Sequence, residues 1–255
     1  MPVRRILLFL AILAGTLTVF PADALPPVID LDSASADLTV YGDDAGDWSG
    51  FSVAAGDING DTVDDLIIGA YRADRAGGTD SGETYVVYGG GSLPATIDLD
   101  STAADLTVYG DDADDGSGIS VAAGDINGDT TDDLIIGAIS ADGSGAGTAC
   151  GPGQVGDRCY AGETYVIYGG DSLPTTIDLN TASADLTVYG DDANDLSGIV
   201  AAGEINGDGT DDLIIGAPFA DTAGGTAAGE TYVIYGGPGL PTTIDLNTAS
   251  AGLTV

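Results

Sequence analysis

The stretch DINGDTVDDLIIGA, residues 57–70, decides the fold. It returns as DINGDTTDDLIIGA at 125–138 and as EINGDGTDDLIIGA at 204–217. Each copy is an acidic loop that runs straight into a short apolar strand. Oxygen side chains fall at loop positions 1, 3, 5 and 9: Asp57, Asn59, Asp61 and Asp65, then Asp125, Asn127, Asp129 and Asp133, then Glu204, Asn206, Asp208 and Asp212. Alternate positions of a tight loop turn inward together, and Ca²⁺ accepts about six to eight oxygen ligands in flexible geometry. Position 7, occupied by Val63, Thr131 and Thr210, offers its backbone carbonyl. The expected metal is Ca²⁺, held by these residues in each copy.

The loops are not EF-hands. An EF-hand carries a bidentate Glu at position 12, where this chain has Ile68, Ile136 and Ile215. Position 6, which needs a sharp turn, is Gly only at Gly209; Thr62 and Thr130 stand there in the first two copies. A β-branched residue tolerates a left-handed turn poorly. The third copy begins with Glu204, one methylene longer than Asp, and is expected to be the most distorted site.

Working outward, the whole chain repeats. The words ADLTVYGDDA place Asp37, Asp105 and Asp185 in equivalent positions, so the units run 37–104, 105–184 and 185–251. The second unit is longer by an insertion that holds Cys150 and Cys159. The third is one residue short, because SGISVAAGD becomes SGIVAAGE. Each unit reads as four short strands: LTVYG, then FSVAAG, then DLIIGA after the acidic loop, then ETYVVYGG. A linker such as SLPATIDLD adds a brief extended piece. Val, Ile, Tyr and Thr fill the strands and Gly marks their ends. Four strands per unit, repeated, predict β-propeller blades. A strand as apolar as LIIGA must be covered on both faces, as neighbouring blades would do. The predicted class is all-β, an open, about three-bladed propeller with four antiparallel strands per blade. Residues 252–255 read as the start of a cut fourth repeat, which points to a fragment.

The composition narrows the function. The chain has 255 residues, 41 acids against five Arg, no Lys and no His, and a formal charge of −36. The acids are Asp apart from Glu83, Glu163, Glu204 and Glu230. Asp is a turn and ligand former, whereas Glu favours helices. Such a surface repels nucleic acid and anionic lipid; adaptation to high salt gives the same composition. Residues 1–24 read as a signal peptide: Arg4 and Arg5, an apolar Ile6–Phe20, and a small-x-small site at Ala22-Asp23-Ala24. No second apolar run of spanning length follows. The expected location is secreted or cell-surface, where Cys150 and Cys159 would pair as a disulfide.

Without His or Lys, the commonest general base and the amine nucleophile are missing. Pairs such as Asp43-Asp44, Asp64-Asp65 and Asp111-Asp112 recur in every unit, which argues for structure, since a catalytic pair is needed once. Trp48 and the tyrosines of ETYVVY read as packing residues. Arg72, Arg75 and Arg158 are expected to pair with local Asp.

The unit resembles the FG-GAP repeat, found in the N-terminal propeller of integrin alpha subunits and in many secreted bacterial proteins. The words that carry the resemblance are SGFSVAAGDINGDTVDDLIIGA (49–70) and its two copies, with Gly216-Ala217-Pro218 keeping the family's second name word. The first name word is reduced to Ser-Gly at 49–50, 117–118 and 197–198. The resemblance implies a seven-bladed propeller with Ca²⁺ in the loop between two blade strands, held by the residues named above. The family also decorates some phospholipases and esterases. Three functions follow as expectations: a non-catalytic adhesion or binding propeller for an unknown protein or glycan ligand, an accessory region of a larger secreted hydrolase, or a structural matrix protein.

Overall fold

A computed structural model of the chain describes residues 10–13, 16–19, 36–74, 78–91, 93–143, 158–222, 225–248 and 253–254. Two compact units divide the chain, Met1–Thr39 and Val40–Val255. In the first, β1 (Leu10–Leu13) pairs antiparallel with β2 (Thr16–Val19). The expected cleavage site at Ala22–Ala24 and the Cys150 side of the insertion lie outside the described residues, as does Arg75.

In the second unit, the three copies of the motif build three sheets. In each, the loop of Asp and Asn turns the chain back on itself, and the β-branched run that follows lies at the middle of the sheet. The chain continues through β3 (Thr39–Tyr41), β4 (Ser52–Gly56), β5 (Asp65–Ala70), β6 (Glu83–Val87), β7 (Thr96–Asp98) and β8 (Leu106–Tyr109). The second copy gives β9 (Ser120–Gly124), β10 (Asp133–Ala138), β11 (Glu163–Ile167), β12 (Thr176–Asp178) and β13 (Leu186–Tyr189). The third gives β14 (Ile199–Gly203), β15 (Asp212–Ala217), β16 (Glu230–Ile234), β17 (Thr243–Asp245) and β18 (Leu253–Thr254). No described residue is helical.

The sheets run β4-β5-β6-β8-β12, β9-β10-β11-β13-β17 and β14-β15-β16-β18. The first four strands of each are antiparallel, so the four-stranded blade expected from the sequence is present. Two details differ from the sequence reading. The LTVY strand opens a unit in sequence but closes the sheet of the unit before it: Thr84 pairs with Val108 and Thr164 with Val188. The linker TID, expected as a brief extended piece, is a strand whose partner was not foreseen: it adds to LTVY in parallel as a fifth member, with Ile177 opposite Val108 and Ile244 opposite Val188.

The central strand explains why LII is apolar at every position. Leu134 and Ile136 enter the core shared with the first sheet. Ile135, pointing the other way, enters the core shared with the third. All three are fully buried. Burying such a side chain contributes roughly 1.5–3 kcal/mol. The glycine that follows has a steric cause. A Cβ on Gly69 would collide with the Gly118 carbonyl oxygen, and one on Gly137 with that of Gly198. The backbone of the next sheet crosses there.

Candidate metal centre

The three acidic loops join β4 to β5, β9 to β10 and β14 to β15, and neighbouring loops touch. Asp132 donates its N–H to the Asp57 carbonyl (3.1 Å) and Asp211 donates to that of Asp125 (3.1 Å). The loops therefore line one edge of the stack, where adjacent sheets meet.

Within each loop, position 1 closes the turn. Asp57 Oδ1 accepts the Asp61 N–H (2.9 Å) and its Oδ2 the Thr62 N–H (2.7 Å). Asp125 accepts from Gly128, Asp129 and Thr130 at 2.8–2.9 Å. Glu204, despite its extra methylene, reaches the Gly207 and Gly209 amides. Position 5 faces position 7: Asp61 accepts from Val63, Asp129 from Thr131 and Asp208 from Thr210, each at 2.9 Å. Position 6 has the left-handed backbone, with φ of 73° at Thr62, 77° at Thr130 and 93° at Gly209. The two threonines hold a conformation that disfavours a β-branched side chain.

Position 9 is different. Asp65, Asp133 and Asp212 are at most 1 % exposed. Asp133 Oδ2 accepts the Ile126 and Asn127 N–H groups, and its Oδ1 accepts Gly169 N–H and Asn127 Nδ2. Asp65 and Asp212 repeat all four bonds. This carboxylate ties the loop to the segment just past β6, β11 or β16. Burial pushes Asp133 up to about 7, against the opposing pull of the Gly169, Asn127 and Ile126 amides. Burial also raises Asp65.

The structure thus brings positions 1, 3, 5 and 9 into one loop, but most of their oxygens are turned onto backbone amides. Among the described residues, no group of three or more His, Cys, Asp or Glu side chains is spaced to hold a metal ion. The donor set is nonetheless made of hard oxygens, which suit Ca²⁺. One observation favours the fit. Asn127 Oδ1 is buried without a hydrogen-bond partner, whereas Asn59 and Asn206 use theirs to accept from Asp61 and Asp208. A buried acceptor left unpaired costs about 1–3 kcal/mol.

Several structural acids were not visible as such in the sequence. Asp132 Oδ2 accepts the Asp57 N–H of the preceding sheet (2.9 Å). Asp105 and Asp185 accept the Tyr88 and Tyr168 amides (2.8 Å). The strand Glu is bonded by the Tyr two residues on: Tyr85 to Glu83, Tyr165 to Glu163 and Tyr232 to Glu230, at 2.6–2.7 Å. Burial raises Glu163 to about 7 and the nearby Asp115 to about 8, with repulsion from Asp111 and Asp112 adding to both. Recurrence of the Glu–Tyr pair in every sheet marks it as structural. Arg158 also pairs far along the chain. It binds Asp245 in β17 (2.7 Å) and the Gly190 carbonyl just past β13. Arg72 stacks 4.3 Å over Trp48, which clusters with Phe51 and Tyr71.

Stacked antiparallel blades with oxygen-rich loops along one edge define a β-propeller-type repeat protein. The profile of the FG-GAP repeat matches residues 49–87 and 198–234, and the chain is an FG-GAP repeat protein. It is 31% identical over 210 residues to phosphatidylinositol-glycan-specific phospholipase D of Homo sapiens, covering 81% of this chain and 23% of that one. It is 31% identical over 196 residues to integrin alpha pat-2 of Caenorhabditis elegans, covering 74% and 14%. With integrin alpha-5 of Xenopus laevis it shares 29% over 193 residues, covering 75% and 15%. The chain thus spans less than a quarter of the curated relatives it matches.

Proposed function

We propose that the chain is an exported, calcium-binding propeller region for adhesion or for binding a protein or glycan at the cell surface, with no active site of its own. The observation that carries this reading is the threefold oxygen loop, with its unpartnered Asn127 Oδ1 in the second copy. Asp125, Asn127, Asp129, the Thr131 carbonyl and Asp133 would hold the ion there, and their counterparts in the other loops. A bound cation offsets the repulsion among the carboxylates and gives the orphaned oxygen a partner. The likeness to integrin alpha chains supports adhesion. The absence of His and Lys from the sequence supports a non-catalytic role. The test is retention of the purified chain on panels of immobilised glycans and extracellular proteins, with calcium and with a chelator. Calcium-dependent retention supports the proposal; binding indifferent to calcium, or none, counts against it.

The phospholipase D relatives favour a second reading, an accessory region of a larger secreted hydrolase. A catalytic module encoded in the same reading frame would select it. Export through cleavage after Ala24, and a Cys150–Cys159 bridge, belong to either reading. Cys159 is 1% exposed and is not a free thiol, which supports the bridge. Two reactive thiols in the secreted protein would refute it.

A further inference from the structure

The first two acidic loops share the word DINGDT, at 57–62 and 125–130, and the third reads EINGDG at 204–209. Each therefore holds an Asn-Gly step: Asn59-Gly60, Asn127-Gly128 and Asn206-Gly207. Asn is a chemically labile side chain, and most so before glycine, which has no Cβ to shield its amide nitrogen. The nitrogen of the following residue can attack the side-chain carbonyl carbon and close a five-membered ring. Three features govern that closure: whether the glycine N–H is free, whether the Asn carbonyl is polarised, and how firmly the departing amide is held. By sequence the first two loops should react at one rate. In the fold they differ in all three features.

In the first loop Gly60 is exposed, and its N–H has no acceptor among the described residues. Asn59 Oδ1 accepts the Asp61 N–H (2.8 Å). That bond polarises the carbonyl and stabilises the negative charge that develops on the oxygen during attack. Asn59 Nδ2 is held only by a long contact to Asp65 Oδ1 (3.4 Å). In the second loop the Gly128 N–H is tied to Asp125 Oδ1 (2.8 Å). Asn127 Oδ1 has no donor, and Asn127 Nδ2 donates to Asp129 (3.0 Å) and to Asp133 (3.2 Å). The third loop is mixed: Asn206 Oδ1 accepts the Asp208 N–H, but the Gly207 N–H is bound to Glu204. Ile58 and Ile126 are both fully buried, so the first two loops are equally well covered and the contrast between them lies in their own hydrogen bonds.

We propose that Asn59 is a site of spontaneous deamidation, selected by the fold from three Asn-Gly steps. The Gly60 nitrogen bonds to Asn59 Cγ, the Cγ–Nδ2 bond breaks, and the Gly60 amide proton leaves with the side-chain amide as ammonia. Water then opens the ring at one of its two carbonyls. One opening gives an aspartate in place of Asn59; the other gives an isoaspartyl link that carries the backbone through Cγ. Only water is consumed, and nothing is oxidised or reduced. Either product adds a negative charge to the first loop and removes the Nδ2 donor to Asp65, and the isoaspartyl link also lengthens the loop backbone by a methylene. The first loop thus changes as the molecule ages, while the second keeps its amide.

The test is incubation of the folded, chelator-treated full chain in mildly alkaline buffer over days, with each Asn-Gly peptide quantified by mass spectrometry after digestion. Asn59 should be lost about fivefold faster than Asn127, equal to about 1 kcal/mol of barrier and to the net strength of about one hydrogen bond. In urea the two should react alike, because their local sequence is the same. Hydrogen exchange gives a second reading: the Gly60 amide should exchange faster than the Gly128 amide. Loss of Asn127 at or above the Asn59 rate in the folded chain overturns the proposal. So does a Gly60 amide as protected as that of Gly128, or a rate ratio in urea as large as in the folded chain.

Discussion

Asp133→Ala separates the two roles of the acidic loop. The carboxylate of Asp133 is fully buried and accepts four bonds, from the Ile126 and Asn127 amides, the Asn127 side chain and the Gly169 amide. Alanine removes all four acceptor contacts and puts no oxygen in their place. A buried donor left unpaired costs about 1–3 kcal/mol. The Ile126 amide is buried and the others partly so, which lets water recover part of the loss. The sum is about 3 kcal/mol, a large share of the roughly 5–15 kcal/mol that holds a domain folded. Urea unfolding of the calcium-free chain, followed by far-ultraviolet circular dichroism, measures it. Asp129→Ala in the same assay should cost far less, because Asp129 is exposed and accepts locally, from Thr131 and the Asn127 side chain. A loss below about 1 kcal/mol for Asp133→Ala would refute the reasoning, since even one buried unpaired amide should cost that much.

Three further outcomes are expected. Calcium should raise the melting temperature; Asp129→Ala should remove part of that shift, and Asp114→Ala, in the acidic turn outside the loops, should leave it intact. In calcium-free buffer, stability should fall as pH rises from about 4 to about 8: Asp115 and Glu163 sit at about 8 and about 7 in the fold against ordinary values of 3.8 and 4.5, so the folded chain holds protons that the unfolded chain releases across that window. Thermal melts at pH 5 and pH 8 check the sign. Gly137→Ala should destabilise by about 1–3 kcal/mol through overpacking against the crossing Gly198 backbone, whereas Gly216→Ala, whose nearest neighbour would be Ile199 Cβ at 3.5 Å, should be nearly neutral.

The repeats, the strand identities and the all-β blades were legible in the sequence, because Val-Ile-Leu runs bounded by Gly and Asp leave little alternative. The phase of the blade was not. A repeating sequence has no intrinsic first strand, and the pairing of Thr84 with Val108 is a long-range choice made by packing. The linker TID was legible only as a brief extended piece, because three residues are too few to show which strand they join. In the loops, the donor atoms were legible but their present partners were not. Asp65, Asp133 and Asp212 read as ligands of the same kind as Asp57, yet their depth gives them backbone amides to satisfy. The long-range pair of Arg158 with Asp245 was not legible either, because it joins residues far apart in the chain.

The central claim is that these loops bind calcium and that binding holds adjacent blades together. Isothermal titration of the chelator-treated full chain with CaCl₂, repeated as a melting series, tests it most directly. The account predicts saturable binding at one site per loop, loss of one site in Asp129→Ala, and a stabilisation of about 2.7 kcal/mol for each site at about 100 times its dissociation constant. Absence of binding heat together with a melting temperature that ignores millimolar calcium would contradict it, and the loops would be acidic turns closed by their own amides.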